Sequence, residues 1–352
     1  MYADDVILLS ETSEGLQNCL EKLHKYCEVW GLQVNIKKTK SMIFNNTGRL
    51  DPIKFTYNKN IVENVRKDSY LGVVFSNSGS FTEAKKELYQ KGLKAYFKFR
   101  KCFKHHKPKI KTLLHVFDHT IKPVLLYGSE IWSIFSAEKL NKLRDSYFNK
   151  LCSDLIAERL HVKFCKYVLE VSRRSTNITI AGELGRYPLF SEVILNMIKC
   201  FIHLSNPICT DLVAEAFEAS RKLHLENKRS WYRNITEVID YFGMDKCKIF
   251  NLKSTLKNYI FQCLCMKYKN TWKSELFNDK KHNSCGNKLR TYRLFKDQFV
   301  FEPYLNWGTY NQRNILTKFR ISSHKPEIEK GRYMNIPTEQ RICRLCKLRC
   351  GK

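Results

Sequence analysis

The sequence predicts an α+β fold, with short strands and one helix near the N-terminus and long helices after them. Three observations predict it. Apolar residues recur every three or four positions just before Gly31, short apolar or alternating runs lie at residues 32–44 and 69–81, and helix-like segments dominate from about Thr82. At 352 residues the chain is long enough for two or three domains.

The first predicted helix lies between residues that can cap it. The hydroxyl of Thr12 or Ser13 can accept a hydrogen bond from the free amides of the first turn. Gly31 can adopt the left-handed conformation that ends a helix. Apolar side chains step along the segment by three or four positions, which indicates an amphipathic helix with this apolar face: Leu16, Leu20, Leu23, Cys27 and Trp30.

Short strands are predicted on both sides of this helix. Val6 to Leu9 form an apolar run that we expect as an opening strand, and residues 32–44 alternate into a β-rich stretch that ends at Phe44. Residues 69–81 have the pattern of another strand and a turn. The change of pattern at Thr82 predicts a boundary between an α+β part and a mostly helical part.

The helical part contains several predicted helices. They are expected at residues 83–104, 109–120, 137–169 and 191–204, with further ones between about 211 and 300. The longest apolar stretch, Val193 to Leu204, is too short for a membrane span and is interrupted by Lys199. This stretch therefore predicts a buried helix in a soluble protein.

Positive charge is the strongest compositional signal. Lys and Arg number 62 against 34 Asp and Glu, which gives a formal net charge of +28 spread along the chain. Such a charge favours nucleic acid as the partner over the alternative of a merely basic protein. In residues 94–111 basic and aromatic residues alternate, so that phosphate pairing and base stacking could occur together.

The 14 cysteines are spread over the whole chain, and the residues after Met1 lack the pattern of a secretory signal. We therefore expect reduced thiols and a cytoplasmic or nuclear protein. Most cysteines, among them Cys19, Cys27 and Cys165, occupy apolar positions of predicted helices and are expected to be small core residues.

Two adjacent carboxylates, Asp4 and Asp5, precede the apolar run Val6 to Leu9. An Asp-Asp pair before a strand is commonly a solvated turn. The alternative is a hairpin tip that presents both carboxylates to divalent metal, as polymerases require when two Mg²⁺ ions hold the attacking and leaving oxygens. The segments that follow favour the second interpretation.

The motif Tyr2-Ala3-Asp4-Asp5 is followed by the capped helix, by GLQVNIKKTK at residues 31–40 and by YLGVVF at residues 70–75. This order of segments resembles the reverse transcriptases of non-LTR (LINE-type) retrotransposons. Four later segments resemble the region after the polymerase palm in such elements: IKPVLLYGSEIW (121–132), KFCKYVLEVSRRSTNITIAGELGRYPL (163–189), ISSHKPEIEKGRY (321–333) and RICRLC (341–346).

The resemblance implies a domain order and partners. Residues 1–81 would be a small remnant of the palm, with short antiparallel strands and one helix. Residues 82–190 would be a thumb-like helical region, and residues 191–352 a helical C-terminal region that ends in a truncated Cys motif. The partners implied are an RNA template and a DNA primer, or an RNA–DNA duplex, without a membrane.

The resemblance also implies roles for individual residues. Asp4 and Asp5 would be catalytic carboxylates that bind Mg²⁺, and Lys38 would lie near the leaving pyrophosphate as a cation or proton donor. For Lys38 the other interpretation is a solvated lysine in a basic loop. The residues implied to contact the primer are Tyr2, Ala3, Tyr70, Leu71 and Gly72.

The family enzyme also needs a further metal-binding aspartate, the fingers and the template groove, all of which precede the Tyr-Ala-Asp-Asp motif. The printed sequence does not contain them, and we therefore expect the chain, a fragment on this interpretation, to be inactive alone. The main alternative is a basic helical protein that binds RNA or DNA without chemistry. A third alternative is a wrongly joined gene model without a folded product.

Near the C-terminus, Cys343 and Cys346 have zinc-ligand spacing, and Cys350 could add a third thiolate. The family motif continues to a His and another Cys, which the printed sequence lacks. Solvent-exposed thiols are therefore preferred over a Zn²⁺ site. The pair His105 and His106 is expected to lie on a basic face and not to bind metal.

Overall fold

The computed structural model shows short strands and one helix in the first part of the chain, followed by helices. The predicted α+β class is thereby confirmed. The chain forms two compact units, Met1–Leu88 and Tyr89–Lys352. The structure describes residues 4–45, 47–105, 108–133, 155–205, 211–241, 243, 256–277, 289–321, 323, 334–337 and 340.

The first unit contains one long helix and two small sheets. In the three-stranded sheet, β1 pairs parallel with β3 and β2 pairs antiparallel with β3, while β4 and β5 form a separate antiparallel hairpin. The elements are α1 (Ser13–Val29), β1 (Lys40–Ser41), β2 (Phe55–Tyr57), β3 (Asn60–Asn64), β4 (Lys67–Tyr70) and β5 (Val73–Ser76). Helix α2 (Thr82–Cys102) begins in this unit and continues into the second.

Both predicted caps of α1 are present. The hydroxyl of Thr12 accepts a hydrogen bond from the Gly15 amide at 3.0 Å. At the other end Gly31 has a φ of +64°, and the Leu32 amide donates to the Cys27 carbonyl at 2.8 Å, as in the Schellman motif. The local signals in the sequence therefore locate both ends of this helix.

Helix α1 packs on the three-stranded sheet. Its residue Leu20 is buried with Phe55, Tyr57 and Val62 of the sheet. The side-chain amide of Gln17 also fixes the helix to β2, because it donates to the Thr56 carbonyl and accepts from the Thr56 amide, each at 3.0 Å. Partly buried apolar residues complete this core: Leu8, Leu16, Leu23, Val34, Ile36 and Ile43.

The predicted opening strand is not a strand in the structure. Among the described residues, Val6 to Leu9 pair with no strand, and Val6, Ile7 and Leu9 are exposed. Leu8 alone packs against the core of the first unit. The apolar segment therefore contributes one partly buried side chain, Leu8, to this core.

The second unit is helical. Its elements after α2 are α3 (Ile110–Thr120), α4 (Lys122–Leu126), α5 (Ser129–Trp132), α6 (Ile156–Val168), α7 (Asn177–Leu184), α8 (Leu189–Leu204), α9 (Asp211–Leu225), α10 (Trp231–Tyr241), α11 (Leu256–Phe277), α12 (Arg290–Phe295), a 3₁₀ helix (Pro303–Asn306) and α13 (Tyr310–Arg320). Of the predicted helix at residues 137–169, the portion at 137–154 lies outside the described residues. None of the described helices combines the length and apolar character that crossing a membrane requires.

Helix α8 lies at the centre of the second unit. It packs against α5, α6, α9, α10 and α11. Val193, Ile194, Met197 and Ile198 are fully buried, whereas Lys199 is exposed. The predicted buried helix is thereby confirmed, with its one lysine on the solvent side.

The junction between α7 and α8 is held by one buried and one partly buried ion pair. Glu183 accepts from the Arg320 guanidinium at 3.0 Å and from the Tyr304 hydroxyl at 2.5 Å. Gly185 has a φ of +54°, and a Cβ there would lie 2.4 Å from the Phe301 amide nitrogen. Arg186 then donates two hydrogen bonds to Asp118. The segment from Glu183 to Arg186 therefore joins α7 to several distant parts of the unit.

Candidate functional site

The Asp4–Asp5 pair lies at the start of the described chain, and both side chains are exposed. Four residues after Asp4, Leu8 packs against the core of the first unit. The segment then enters α1 through a local turn, in which the Ser10 hydroxyl donates to the Thr12 carbonyl at 3.0 Å. The two carboxylates are therefore presented to solvent from a segment that is anchored on one side.

Carboxylate oxygens are the ligands that Mg²⁺ prefers, so the chemistry of Asp4 and Asp5 suits this ion. Within the described ranges, no group of three or more His, Cys, Asp or Glu side chains lies close enough together to hold a metal ion. The described residues therefore do not form a complete metal site by themselves.

Lys38 lies in a turn that Asn35 organises. The Lys38 and Thr39 amides donate to the Asn35 carbonyl at 3.0 and 2.9 Å, and the Thr39 hydroxyl donates to the same oxygen at 3.0 Å. The Asn35 side chain also accepts from the Lys38 amide at 3.3 Å. The spacing of Asn35, Lys38 and Thr39 thus has a structural basis, and it leaves the Lys38 side chain exposed.

Tyr70, Leu71 and Gly72 form the tip of the β4–β5 hairpin. Tyr70 pairs with Val73, and the two residues between them have φ values of +45° and +81°. Two positive φ angles in a two-residue loop match the twist of the flanking strands. A positive φ at Leu71 destabilises the folded state, because the Leu71 Cβ crowds the backbone in this conformation. The tip is therefore a tight turn with a strained apolar residue at its first position.

The described residues among these predicted site residues all belong to the first unit. In the part of the chain that the structure describes, no hydrogen bond or ion pair joins Asp4 or Asp5 to Lys38 or Tyr70. Their shared role stays a prediction. Five predicted site residues lie outside the described residues: Tyr2, Ala3, Cys343, Cys346 and Cys350. His106 also lies outside them.

The basic and aromatic segment at residues 94–111 lies mainly on α2. Tyr96 and Phe99 are 1% and 5% exposed, so their rings belong to the core of the second unit and are closed to stacking bases. Phe97 is 50% exposed. On α2 the alternation therefore separates into a buried face with Tyr96 and Phe99 and an exposed face with basic residues and Phe97.

The sequence interpretation did not identify the basic residues of α6. Arg159, Lys163 and Lys166 follow one another by four and three positions, opposite the fully buried Leu160 and Phe164. That spacing is the signal that could have found them, because it places all three cations on one face of a helix.

The N-terminal part of the chain matches a known protein family. Residues 1–75 match the sequence model of the family described as "Reverse transcriptase (RNA-dependent DNA polymerase)". A Drosophila melanogaster protein described as "Probable RNA-directed DNA polymerase from transposon BS" is 26% identical over 152 residues, which are 41% of this chain and 17% of that protein. The chain thus matches a small part of its relative. Both findings support a reverse transcriptase as the kind of protein to which this chain is similar.

Proposed function

We propose that the chain is part of an RNA-directed DNA polymerase of a non-LTR, LINE-type retrotransposon. The match of residues 1–75 to the reverse transcriptase family carries this proposal, because that stretch contains the Asp pair, the Lys38 turn and the hairpin tip. In this proposal residues 1–81 belong to the palm, residues 82–190 form a thumb-like region and residues 191–352 a helical C-terminal region.

Each predicted residue then has a task. Asp4 and Asp5 supply two of the carboxylates that hold Mg²⁺ in the complete palm, which gives the ion its hard oxygen ligands. Lys38 is presented by the Asn35 turn as an exposed cation near the leaving pyrophosphate. Tyr2, Ala3 and the hairpin residues Tyr70, Leu71 and Gly72 contact the primer. Cys343, Cys346 and Cys350 are proposed to be thiols without a resident Zn²⁺.

The 352 residues alone are proposed to extend no primer. The described part of the first unit offers two adjacent exposed carboxylates and no third ligand beside them. In-line phosphoryl transfer depends on ions held in fixed positions, so two carboxylates on one exposed segment do not suffice.

The first prediction tests this proposal with two forms of the chain. The 352 residues, given primer, RNA template, nucleotides and Mg²⁺, should extend nothing. A fusion in which the fingers and upstream palm of the related Drosophila transposon polymerase precede residue 1 should extend the primer. Asp4→Asn in the fusion should lower extension by at least about a hundredfold, because an essential charge is lost.

Glu11→Gln is the matched control, since Glu11 is an exposed carboxylate in the same segment. It should leave extension within about twofold. Extension by the unfused chain would contradict the inactivity, and a folded, inactive fusion would contradict the catalytic roles. RNA binding by that inactive fusion would instead favour the alternative of a basic helical protein that binds nucleic acid without chemistry.

A further inference from the structure

A basic cleft of about 640 Å³ lies on the second unit. Helix α2 contributes Arg100, and α6 with the loop after it contributes the other charged residues. None of the lining residues lies within the stretch that matches the reverse transcriptase family. Among the residues that the structure describes, the charged lining consists of five cations and one carboxylate: Arg100, Arg159, Lys163, Lys166, Arg173 and Glu170.

The cleft is basic because of the way α6 is oriented. The cations Arg159, Lys163 and Lys166 recur at helical spacing, while Leu160 and Phe164 on the other side are fully buried. The N-terminal end of α6 is also fixed, because the buried Glu158 accepts from the Leu189 amide at 2.8 Å. Burial of one face therefore holds the other, cationic face toward the cleft.

Aromatic rings hold two of the cations in place. The Arg100 guanidinium lies 4.9 Å from the centroid of the Tyr167 ring, and the Lys163 ammonium lies 5.4 Å from that of Tyr96 and 5.2 Å from that of Phe97. At these distances a cation is attracted to the ring face without losing its charge. Tyr96 is 1% exposed, so this support is part of the core.

Among the described lining residues of the cleft, cations are in excess of carboxylates. The Lys166 ammonium donates to the Arg173 carbonyl at 2.9 Å, which fixes the loop but leaves both charges in place. Glu170 is the one carboxylate among the lining residues that the structure describes, and it accepts from the Asn314 side chain at 3.2 Å. Cations therefore outnumber anions by five to one in a concave site.

We propose that this cleft binds the phosphodiester backbone of a nucleic acid strand. Several fixed cations along a groove match the regular negative charge of such a backbone, and they need no particular base sequence. The inference rests on the nucleic-acid-binding part of the proposed function. It assigns that binding to Arg100, Arg159, Lys163, Lys166 and Arg173, none of which has a role in the proposed metal site.

Charge reversal in the full chain tests the proposal. The variant is Arg100→Glu with Lys163→Glu. The matched control is Arg229→Glu with Lys222→Glu, which makes the same change of net charge. Lys222 and Arg229 are exposed and do not line the cleft. The probes are a fluorescent single-stranded RNA of about 20 nucleotides and an RNA–DNA hybrid of the same length, and anisotropy is measured over a range of salt.

The cleft variant should bind at least about tenfold more weakly than the wild type, and the slope of log K against log salt for single-stranded RNA should become shallower by about 1.4. The control should change both quantities much less. The probe with the larger loss identifies the strand type that the cleft holds. Equal losses in the two variants would overturn the proposal, because only the total charge would then matter.

A second measurement uses the wild-type chain and so does not depend on how the variant folds. Bound RNA should protect the Lys163 ammonium from acetylation several-fold more than the ammonium groups of Lys222 and Lys273, which are exposed and do not line the cleft, as read by mass spectrometry. Equal protection of all three lysines would also overturn the proposal. Neither assay involves primer extension. A result that contradicts binding in the cleft therefore does not contradict the polymerase assignment, and failure of primer extension does not contradict binding in the cleft.

Discussion

Asp118 is a residue on which two cations converge. Arg186 donates to both of its carboxylate oxygens, and the Lys122 ammonium lies 3.3 Å from one of them. Burial raises the pKa of the Asp118 carboxyl, but the hydrogen bonds and charges of Arg186 and Lys122 outweigh it and hold the pKa below its usual range. The charged form of Asp118 is therefore favoured by folding.

This pKa shift predicts how stability depends on pH. Because the pKa is lower in the folded state, the stabilisation is present above the unfolded value of about 3.9 and is lost as the pH falls through the folded value. Asp118→Asn should lower the free energy of unfolding at neutral pH by about 2 to 3 kcal/mol and should flatten its decrease in acid. Urea unfolding at several pH values measures both quantities.

The control for Asp118→Asn is Glu218→Gln, since Glu218 pairs with Arg221 on the exposed surface of α9. It should cost less than about 1 kcal/mol. If the two variants lose stability equally, or if the acid dependence of Asp118→Asn equals that of the wild type, the carboxylate does not stabilise the fold in this way.

The sequence predicts the structural roles of some residues and not those of others. Thr12 and Gly31 were predicted as caps because a cap acts on amides and carbonyls within a few positions along the chain. The Asn35 turn that presents Lys38 is equally local. The pairing of Arg186 with Asp118 joins positions 68 apart, and no local pattern encodes it. The same holds for the cleft, where α2 and α6 must pack together before their cations share one surface.

At the scale of elements, the junction between α7 and α8 depends on one glycine. Gly185 combines a φ of +54° with a close approach of the Phe301 backbone. Gly185→Ala should therefore lower the free energy of unfolding by about 3 kcal/mol or more, because the left-handed conformation and overpacking both destabilise the folded state. Gly243→Ala is the control, because its φ is +62° and no described atom lies within 4 Å of the added Cβ.

Gly243→Ala should lower the free energy of unfolding by only about 1 to 2 kcal/mol, which is the contribution of the left-handed conformation alone. Thermal unfolding followed by circular dichroism compares the two. Equal losses would contradict a steric role for the Phe301 backbone, and a Gly185→Ala chain as stable as the wild type would contradict the close approach itself.

Elements were predictable where burial follows a helical period. Helix α8 was expected as a buried helix and is one, because its apolar residues are continuous and long enough for several turns. The run from Val6 to Leu9 was expected as a strand, and that expectation was wrong for the described residues. An apolar run of four positions fits one anchored contact as well as a paired strand, and the pattern alone does not separate the two.

At the scale of the whole molecule, the net charge of +28 sets the expected mode of binding. We expect the logarithm of the binding constant for single-stranded RNA to fall linearly with the logarithm of the salt concentration. The slope should be about −0.7 per neutralised phosphate. Changing the base order at constant length should change the affinity by less than about threefold, because backbone contacts carry no sequence information. Anisotropy titrations at several salt concentrations measure both effects.

An uncharged peptide nucleic acid of the same base order is the control, since it keeps the bases and lacks the phosphates. It should not bind measurably. Salt-independent binding of RNA, or equal binding of the uncharged probe, would contradict a surface that recognises phosphate. The composition predicts the sign of this effect, but its size depends on how many phosphates the folded arrangement of helices brings into contact with the cations.

Strand β2 is an edge strand, since the strand order of its sheet is β1-β3-β2. An open edge can recruit a strand from another molecule and so begin aggregation. The amide group of Gln17 already occupies the amide and the carbonyl of Thr56 at the middle of β2. The side chain that fixes α1 to the sheet therefore also acts as a gatekeeper, because an incoming strand would find the central hydrogen-bonding groups of this edge already used.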